Sequence, residues 1–305
     1  MSITTPKRPQ STGATPNHSL WNPFYWLSAI SFHLYTIYLV CSNNIWDIII
    51  PGLLFGAINS CIAPYYSMGP ALSANKILAS APNMLIWSLS NLFLFCVHNQ
   101  RHPETIAEDR LNKPWRPMIL YLMHPICFLI ASIMGGFSPY IILTLFHIWY
   151  NELDGASNGI LKNIHNAIGF SCFFTGPLEV VTQHSVIQAN RRIKIWLALL
   201  TAIFATTSHT QDFRDMEGDR IAGRRTIPLV FGDTQSRRFV ALAVTIWTNV
   251  ACWFWEVGWI EGAWSMFAGA LVVLNLLLYR SREGDVLSWK LWVVWVQGLI
   301  FLPFF

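Results

Sequence analysis

The sequence predicts an all-α membrane protein that crosses the bilayer nine times. Of the 305 residues, 53% are hydrophobic and only 12% are charged, against about 25% charged residues in soluble domains. Nine stretches are also long and apolar enough to span, since a spanning helix needs about 20 mostly apolar residues, or fewer when tilted or packed inside a bundle. These stretches are roughly 46–65, 79–98, 118–135, 137–152, 164–181, 193–207, 238–257, 260–279 and 286–304.

Two segments of different character precede the nine stretches. Residues 1–20 are polar and lack the apolar core of a cleavable signal peptide, so we predict a disordered tail followed by one domain over residues 21–305. Residues 24–41 are apolar but carry His33 and several tyrosines. This segment is either an interfacial helix, which we favour, or a tenth span.

The loop charges predict the orientation. With nine spans, the N-terminus and the loops after spans two, four, six and eight share one side, which carries most of the Lys and Arg residues. The positive-inside rule places that side in the cytoplasm. The same loops hold most of the acidic residues, which the rule does not require, so the crowding indicates a site for metal and phosphate. The net charge of +4 is modest and no basic run indicates nucleic-acid binding.

The strongest polar segment is residues 211–232, QDFRDMEGDRIAGRRTIPLVFG, directly after an apolar stretch. Asp212, Asp215 and Asp219 are spaced i, i+3 and i+7, so on a helix they share one face. A divalent cation would relieve their repulsion, and Mg²⁺ is typically held by one or two carboxylates plus substrate phosphates. Arg220 and Arg224 follow closely, and the planar fork of Arg matches phosphate. The alternative is a solvated, salt-bridged helix end.

A second polar segment, residues 99–117, follows another apolar stretch. Its carboxylate and amide oxygens suit a second Mg²⁺, and its cations suit a diphosphate. An ordinary charged loop is the alternative. The predicted metal ligands are Asn99, Glu104, Glu108 and Asp109, and the predicted diphosphate contacts are Lys113 and Arg116.

Weaker candidates lie elsewhere in the chain. Asn151, Asp154 and Asn158 are spaced i, i+3 and i+7 and would line the pocket or bind diphosphate through water, unless they form a polar helix end broken at Gly155. Glu179 is an intramembrane carboxylate, which is by default a functional candidate, although a place near the far membrane surface is the alternative.

Aromatic side chains are candidates for a pocket wall. Their faces would stabilise carbocations, whereas lipid contact and helix packing is the alternative for most of them. The candidates are Trp87, Phe93, Phe95, Phe146, Trp149, Tyr150, Phe170, Phe173 and Phe174.

Together these segments resemble the UbiA superfamily of intramembrane prenyltransferases over roughly residues 45–300. The Asp212-x-x-Asp215-x-x-x-Asp219 motif and the residues after it are close to the family's second motif. The first motif departs from the family form, because it reads Asn-Gln, then Glu104, then Glu-Asp-x-x-Asn-Lys-Pro-Trp-Arg-Pro, without the usual Pro-Ser-Gly stretch. This form is similar to a fungal branch that includes UbiA-type terpene cyclases.

The resemblance implies a nine-helix bundle with a central pocket that opens to the cytosolic side, in the endoplasmic-reticulum membrane. It also implies Mg²⁺-dependent class I ionisation of one prenyl diphosphate, farnesyl or geranylgeranyl, and cyclisation to a sesquiterpene or diterpene of secondary metabolism. The catalytic residues would be Asp212, Asp215, Asp219, Asn99 and Asp109. A prenyl diphosphate synthase and a cytochrome P450 of the same pathway are candidate partners, besides the lipid bilayer.

Two alternatives stay open. Prenyl transfer to an aromatic acceptor uses the same ionisation and differs only in the nucleophile. A transporter or a non-catalytic membrane partner is a different class, but transporters usually place polar groups near the bilayer midplane. Here the carboxylates cluster at one surface.

Overall fold

The protein is described by a computed structural model that covers residues 23–99, 115–153, 155, 158–221 and 223–305. Within these ranges the chain folds into α-helices joined by short turns. The helices are α1 Pro23–Cys41, α2 Ile50–Cys61, α3 Ala74–Asn99, α4 Trp115–Met134, α5 Phe137–Glu152, α6 Gly159–Thr182, α7 Arg191–Thr207, α8 Met216–Ile221, α9 Ile227–Phe231, α10 Asp233–Trp255, α11 Ala263–Leu278 and α12 Arg282–Phe301.

Every predicted apolar stretch coincides with a helix of the structure. The first is divided into a π-helical turn, Ile45–Ile49, and α2. Residues 24–41 form α1, which meets the next helix at a bend of 62°. Among the described residues, three helices are each long and apolar enough to cross a membrane, namely Ala74–His98, Asp233–Trp255 and Arg282–Phe304. The count of nine spans therefore stays a prediction.

Helix α6 lies at the centre of the bundle, where it packs against α2, α3, α5 and α7. Two glycines of α2, spaced i and i+4, allow the closest of these approaches. A Cβ on Gly52 would overlap the carbonyl oxygen of Phe173, and one on Gly56 would lie 2.9 Å from the carbonyl carbon of Pro177. Small residues at such spacing let membrane helices pack backbone to backbone.

Substitution of Gly52 tests this contact. We expect Gly52→Ala to lower the free energy of unfolding by about 1–3 kcal/mol, because overpacking forces the two backbones apart. Thermal unfolding of the detergent-purified protein measures the effect. Gly169→Ala in α6 is the matched control, since among the described residues no atom beyond its chain neighbours and the local backbone of α6 lies within 4 Å of its added Cβ. Equal melting temperatures for the two variants would contradict the packing argument.

Buried ionisable side chains at the two ends of the bundle have structural partners. Arg237 of α10 donates to Asp285 of α12 at 2.9 Å and to Asp233 at 2.7 Å. At the other end, Glu179 accepts hydrogen bonds from Ser185 Oγ at 3.0 Å and the Val186 amide at 2.8 Å. Glu179 thus fixes the turn after α6, which accounts for its burial without a role in chemistry.

Candidate functional site

A cavity of about 690 Å³ opens at the end of the bundle where α6 begins and α7 ends. Because α5, α6 and α7 alternate in direction, the last turn of α5, the first turn of α6 and the segment after α7 meet there. The mouth is lined by charged side chains, including Lys162, Asp212 and Arg224, whereas Leu143 and Phe173 line its apolar part. The cavity therefore joins a charged mouth to an apolar wall.

The three aspartates of the strongest motif all line this cavity. Asp212 and Asp215 belong to a 3₁₀ segment, Ser208–Asp215, and Asp219 belongs to α8. The single α-helical face predicted for them is wrong in detail. A 3₁₀ helix has three residues per turn, so side chains at i and i+3 still align. Asp212 and Asp219 are buried, with 3% and 4% exposure, whereas Asp215 is exposed.

Each aspartate has a cation beside it. Lys162 Nζ lies 2.8 Å from Asp212 Oδ1, and Arg224 Nη1 lies 3.0 Å from Asp219 Oδ1. Arg214 Nε lies 3.3 Å from Asp215 Oδ2. Burial raises the pKa of Asp212, and the nearby Asp219 and Asp215 carboxylates act in the same direction, while Lys162 opposes them. The mouth thus holds alternating charges, and among its carboxylates Asp212 and Asp219 are the poorly solvated ones.

The donor set of the mouth fits Mg²⁺, the ion that the resemblance implies. Asp212 Oδ2 is buried and has no hydrogen-bond partner among the described residues. In that part of the chain no three His, Cys, Asp or Glu side chains are close enough to hold a metal unaided. Mg²⁺ typically takes only one or two carboxylates and completes its shell with substrate phosphates and water. Asp212, Asp215 and Asp219 would supply those carboxylates.

The structure brings only some of the other predicted residues to the cavity. Arg220 points to the surface and donates to Glu217 at 2.6 Å. Asn151 donates to the His147 carbonyl at 3.0 Å and is not among the described residues that line the cavity. Asn158 caps α6, since its Oδ1 accepts from the Ile160 amide at 2.9 Å.

The remaining predictions fall outside what the structure describes. The backbones of Asn99 and Arg116 are described, at the end of α3 and the start of α4, but their side chains are not. The predicted residues that lie outside the described ranges are Glu104, Glu108, Asp109, Lys113 and Asp154.

Sequence reasoning did not assign Lys162 to the site. It lies in the first turn of α6, and His165, Asn166, Gly169 and Phe170 follow at i+3, i+4, i+7 and i+8 along the same cavity wall. The three polar members of this series, Lys162, His165 and Asn166, lie at helical spacing at the start of an apolar stretch, and that pattern was a readable signal. Two further lining residues, Asp47 and Arg282, come from distant parts of the chain and carried no such signal.

The structure divides the nine aromatic candidates between the cavity wall and helix packing. Five of the candidates line the cavity, namely Phe95, Phe146, Tyr150, Phe170 and Phe173. Among the others, Trp87 is fully buried and donates to the Gly136 carbonyl at 3.2 Å, and Phe174 stacks on Phe55. These two therefore belong to helix packing.

In the part of the chain that the structure describes, the fold and the site define a helical bundle whose cavity joins carboxylate–cation pairs to aromatic rings. The sequence profile of the UbiA prenyltransferase family matches residues 106–294, more than half of the chain. The chain therefore belongs to this family.

Similar proteins support the assignment. Fumagillin beta-trans-bergamotene synthase of Aspergillus fumigatus is 27% identical over 232 residues, which cover 72% of this chain and 79% of the relative. A diterpene cyclase of Hericium erinaceus is 40% identical over 93 residues, 30% of this chain and 26% of the relative. The solved structure of a UbiA homolog from Archaeoglobus fulgidus bound to Cd²⁺ has the same fold. Its TM-score is 0.51 at 13% identity, with 87% of this chain and 99% of the homolog covered.

Proposed function

We propose that the protein is a membrane-bound, Mg²⁺-dependent terpene cyclase. It ionises farnesyl or geranylgeranyl diphosphate and cyclises the resulting carbocation to a sesquiterpene or diterpene. The observation that carries the proposal is one cavity with a charged mouth and an aromatic wall. Two of the similar proteins are named a synthase of bergamotene and a diterpene cyclase, which favours cyclisation.

The mouth would bind and ionise the diphosphate. Lys162, Arg214 and Arg224 are cations on its wall, so they would donate to the phosphate oxygens. Donors placed where negative charge develops lower the barrier to C–O cleavage. Mg²⁺, held by Asp212, Asp215 and Asp219 and by the first polar segment, would supply further charge neutralisation on the leaving diphosphate.

The apolar part of the cavity would hold the prenyl chain and the carbocation. Phe95, Phe170 and Phe173 line this part of the cavity, and each ring would stabilise a cation over its face by about 0.5–2 kcal/mol. A wall of this kind also excludes water, which would otherwise capture the cation before ring closure.

We place the protein in the endoplasmic-reticulum membrane with nine spans and the cavity open to the cytosol. The positive-inside bias of the loops supports this orientation. Pathway enzymes such as a prenyl diphosphate synthase and a cytochrome P450 would act before and after it in secondary metabolism.

Prenyl transfer to an aromatic acceptor is the second candidate function. The family whose profile matches the chain is named for prenyl transfer. The charged mouth would serve both reactions equally well, because they share the ionisation step.

An acceptor-free assay tests the proposal. Membranes that contain the protein are incubated with Mg²⁺ and either farnesyl or geranylgeranyl diphosphate, and the products are identified by gas chromatography–mass spectrometry. We expect a cyclic terpene from one substrate, and chelation by EDTA should abolish it until Mg²⁺ is restored. Product that forms only with an added aromatic acceptor would assign prenyl transfer instead.

A further inference from the structure

Gly169 is a glycine in the wall of the cavity, below the charged mouth. It is half-buried, lines the cavity and follows Lys162 of the mouth by seven residues. At a rise of about 1.5 Å per residue, it lies roughly 10 Å along α6 from that lysine. A substrate whose diphosphate binds at the mouth would therefore have its hydrocarbon chain at this level.

The periodicity of α6 shows which way position 169 points. Lys162, Gly169 and Phe173 all line the cavity and are spaced i, i+7 and i+11, so they form one stripe along the helix. Ile160 and Ile164 lie on the opposite face of α6 and are 51% and 42% exposed. A side chain at position 169 would thus extend into the cavity and not toward the outside of the bundle.

Position 169 has room for a side chain that glycine does not fill. Within the described ranges, no atom other than its chain neighbours and the local backbone of α6 lies within 4 Å of a Cβ built there. Gly176 of the same helix differs, because a Cβ on it would overlap the ring of Trp87. Helix packing among the described residues therefore requires glycine at 176 but not at 169, although glycine is an unfavourable residue inside a helix.

The space exists because α2 and α6 separate at this level. The two close approaches between these helices advance by four residues on both of them, so the helices run parallel. Carried back one turn from Gly52 and Phe173, this register places Ile48 at the level of Gly169. Both residues line the cavity, and Ile48 belongs to the π-helical turn Ile45–Ile49. The seam between α2 and α6 is thus closed at Gly52 and open at Gly169.

Packing fixes the aromatic side chains beside this opening. The ring centroid of Phe170 lies 5.2 Å from that of Phe204, and the ring centroid of Phe173 lies 6.2 Å from that of Trp87. Both phenylalanines are buried and line the cavity. Close-packed rings do not move aside without strain. The missing side chain of Gly169 therefore sets how much of the opening stays free.

We propose that Gly169 determines which prenyl chain the cavity accepts, an inference that rests on the proposed function. Glycine leaves the opening between α2 and α6 free for the distal part of the substrate chain. A larger side chain at this position would occupy that volume, so the enzyme would prefer a shorter prenyl diphosphate. The charged mouth would be unchanged, so a chain that fits would still be ionised.

The experiment compares wild type, Gly169→Ala and Gly169→Leu in membranes with Mg²⁺ and geranyl, farnesyl or geranylgeranyl diphosphate. Diphosphate release gives kcat/KM for each substrate, normalised to protein in the membrane. The value for the substrate that wild type prefers is divided by the value for the next shorter one. We expect this ratio to fall about 10-fold in Gly169→Ala and about 100-fold in Gly169→Leu, because one methylene of misfit in an apolar pocket is worth about 10- to 200-fold.

Gly218→Leu is the matched control. Gly218 also lines the cavity, and in the described part of the chain a Cβ on it also meets nothing within 4 Å, but it belongs to α8 at the charged mouth. The three substrates carry the same diphosphate. Any loss of release in this variant should therefore be a common factor for all of them, and the ratio should stay at the wild-type value.

Two results in the variants would overturn the proposal. An unchanged ratio in both Gly169 variants would mean that the chain does not pass this position. An equal loss with all three substrates in Gly169→Leu, at the wild-type melting temperature, would mean that position 169 serves ionisation. If Gly169→Leu does not fold, the ratio in Gly169→Ala decides alone.

Failure of the proposed function is recognised separately, in the wild-type arm. A wild type that releases no diphosphate from any of the three substrates without an acceptor refutes the proposed cyclase before any variant is compared, and the inference falls with it.

Discussion

Asp219→Asn is expected to lower diphosphate release by about 100- to 1,000-fold, the cost of losing one preorganised electrostatic group at a reaction centre. Asp219 is 4% exposed, lines the cavity and holds Arg224 at 3.0 Å. Asparagine keeps the shape but removes the charge, so it would neither bind Mg²⁺ well nor orient the guanidinium. The rate of diphosphate release in membranes, per amount of protein, measures the effect.

Asp233→Asn is the matched control for this substitution. Asp233 also pairs with an arginine, Arg237, at 2.7 Å, but it is not among the described residues around the cavity. Turnover of this variant should stay near that of wild type. If Asp219→Asn kept wild-type turnover while remaining in the membrane, the acidic mouth would have no part in the chemistry.

The helices and the acidic motif were predictable because their signals are local. An apolar stretch bounded by polar residues identifies a helix wherever the bundle places it, and each predicted stretch coincides with one. The spacing of Asp212 and Asp215 places their side chains on the same side in either kind of helix, since i and i+3 align in a 3₁₀ segment as in an α-helix. The prediction of one α-helix was therefore wrong, but the aspartates that it grouped together do line one cavity.

Interactions between distant segments were not predictable in this way. Lys162 and Asp212 are 50 residues apart and meet only because α6 and α7 pack antiparallel. The spacing argument for Asn151 and Asn158 failed because it needed one continuous helix. Instead α5 ends at Glu152 and Asn158 caps α6, so the two side chains belong to different helices.

Fewer of the described helices pass as spans by composition than were predicted, and the reason is physical. A helix buried in a bundle can carry polar residues that face a cavity, and such residues lower its mean hydropathy. Lys162 and His165 do this in α6, which is central to the bundle although it is not among the three described helices that pass as spans by composition. Hydropathy thus undercounts the helices that build the site.

The second large effect is expected for Lys162→Met. Asp212 is buried and Lys162 is its ion-pair partner at 2.8 Å, so the substitution leaves an uncompensated carboxylate near Asp215 and Asp219. Breaking a buried pair costs about 3–5 kcal/mol, and the lower end applies because the Lys162 side chain is 18% exposed. We expect a lower melting temperature in EDTA, together with loss of turnover in Mg²⁺.

The double variant Lys162→Met/Asp212→Asn separates the two effects. It removes the stranded charge, so the melting temperature should return toward wild type, while turnover stays low because the mouth has lost both a phosphate donor and a metal ligand. Lys194→Met, an exposed lysine of α7, is the control and should change neither property. A single variant as stable as wild type would show that Asp212 does not depend on Lys162. If the double variant were active, the Lys162–Asp212 ion pair would not be needed for the reaction, and Arg214 and Arg224 would be the cations that bind the diphosphate.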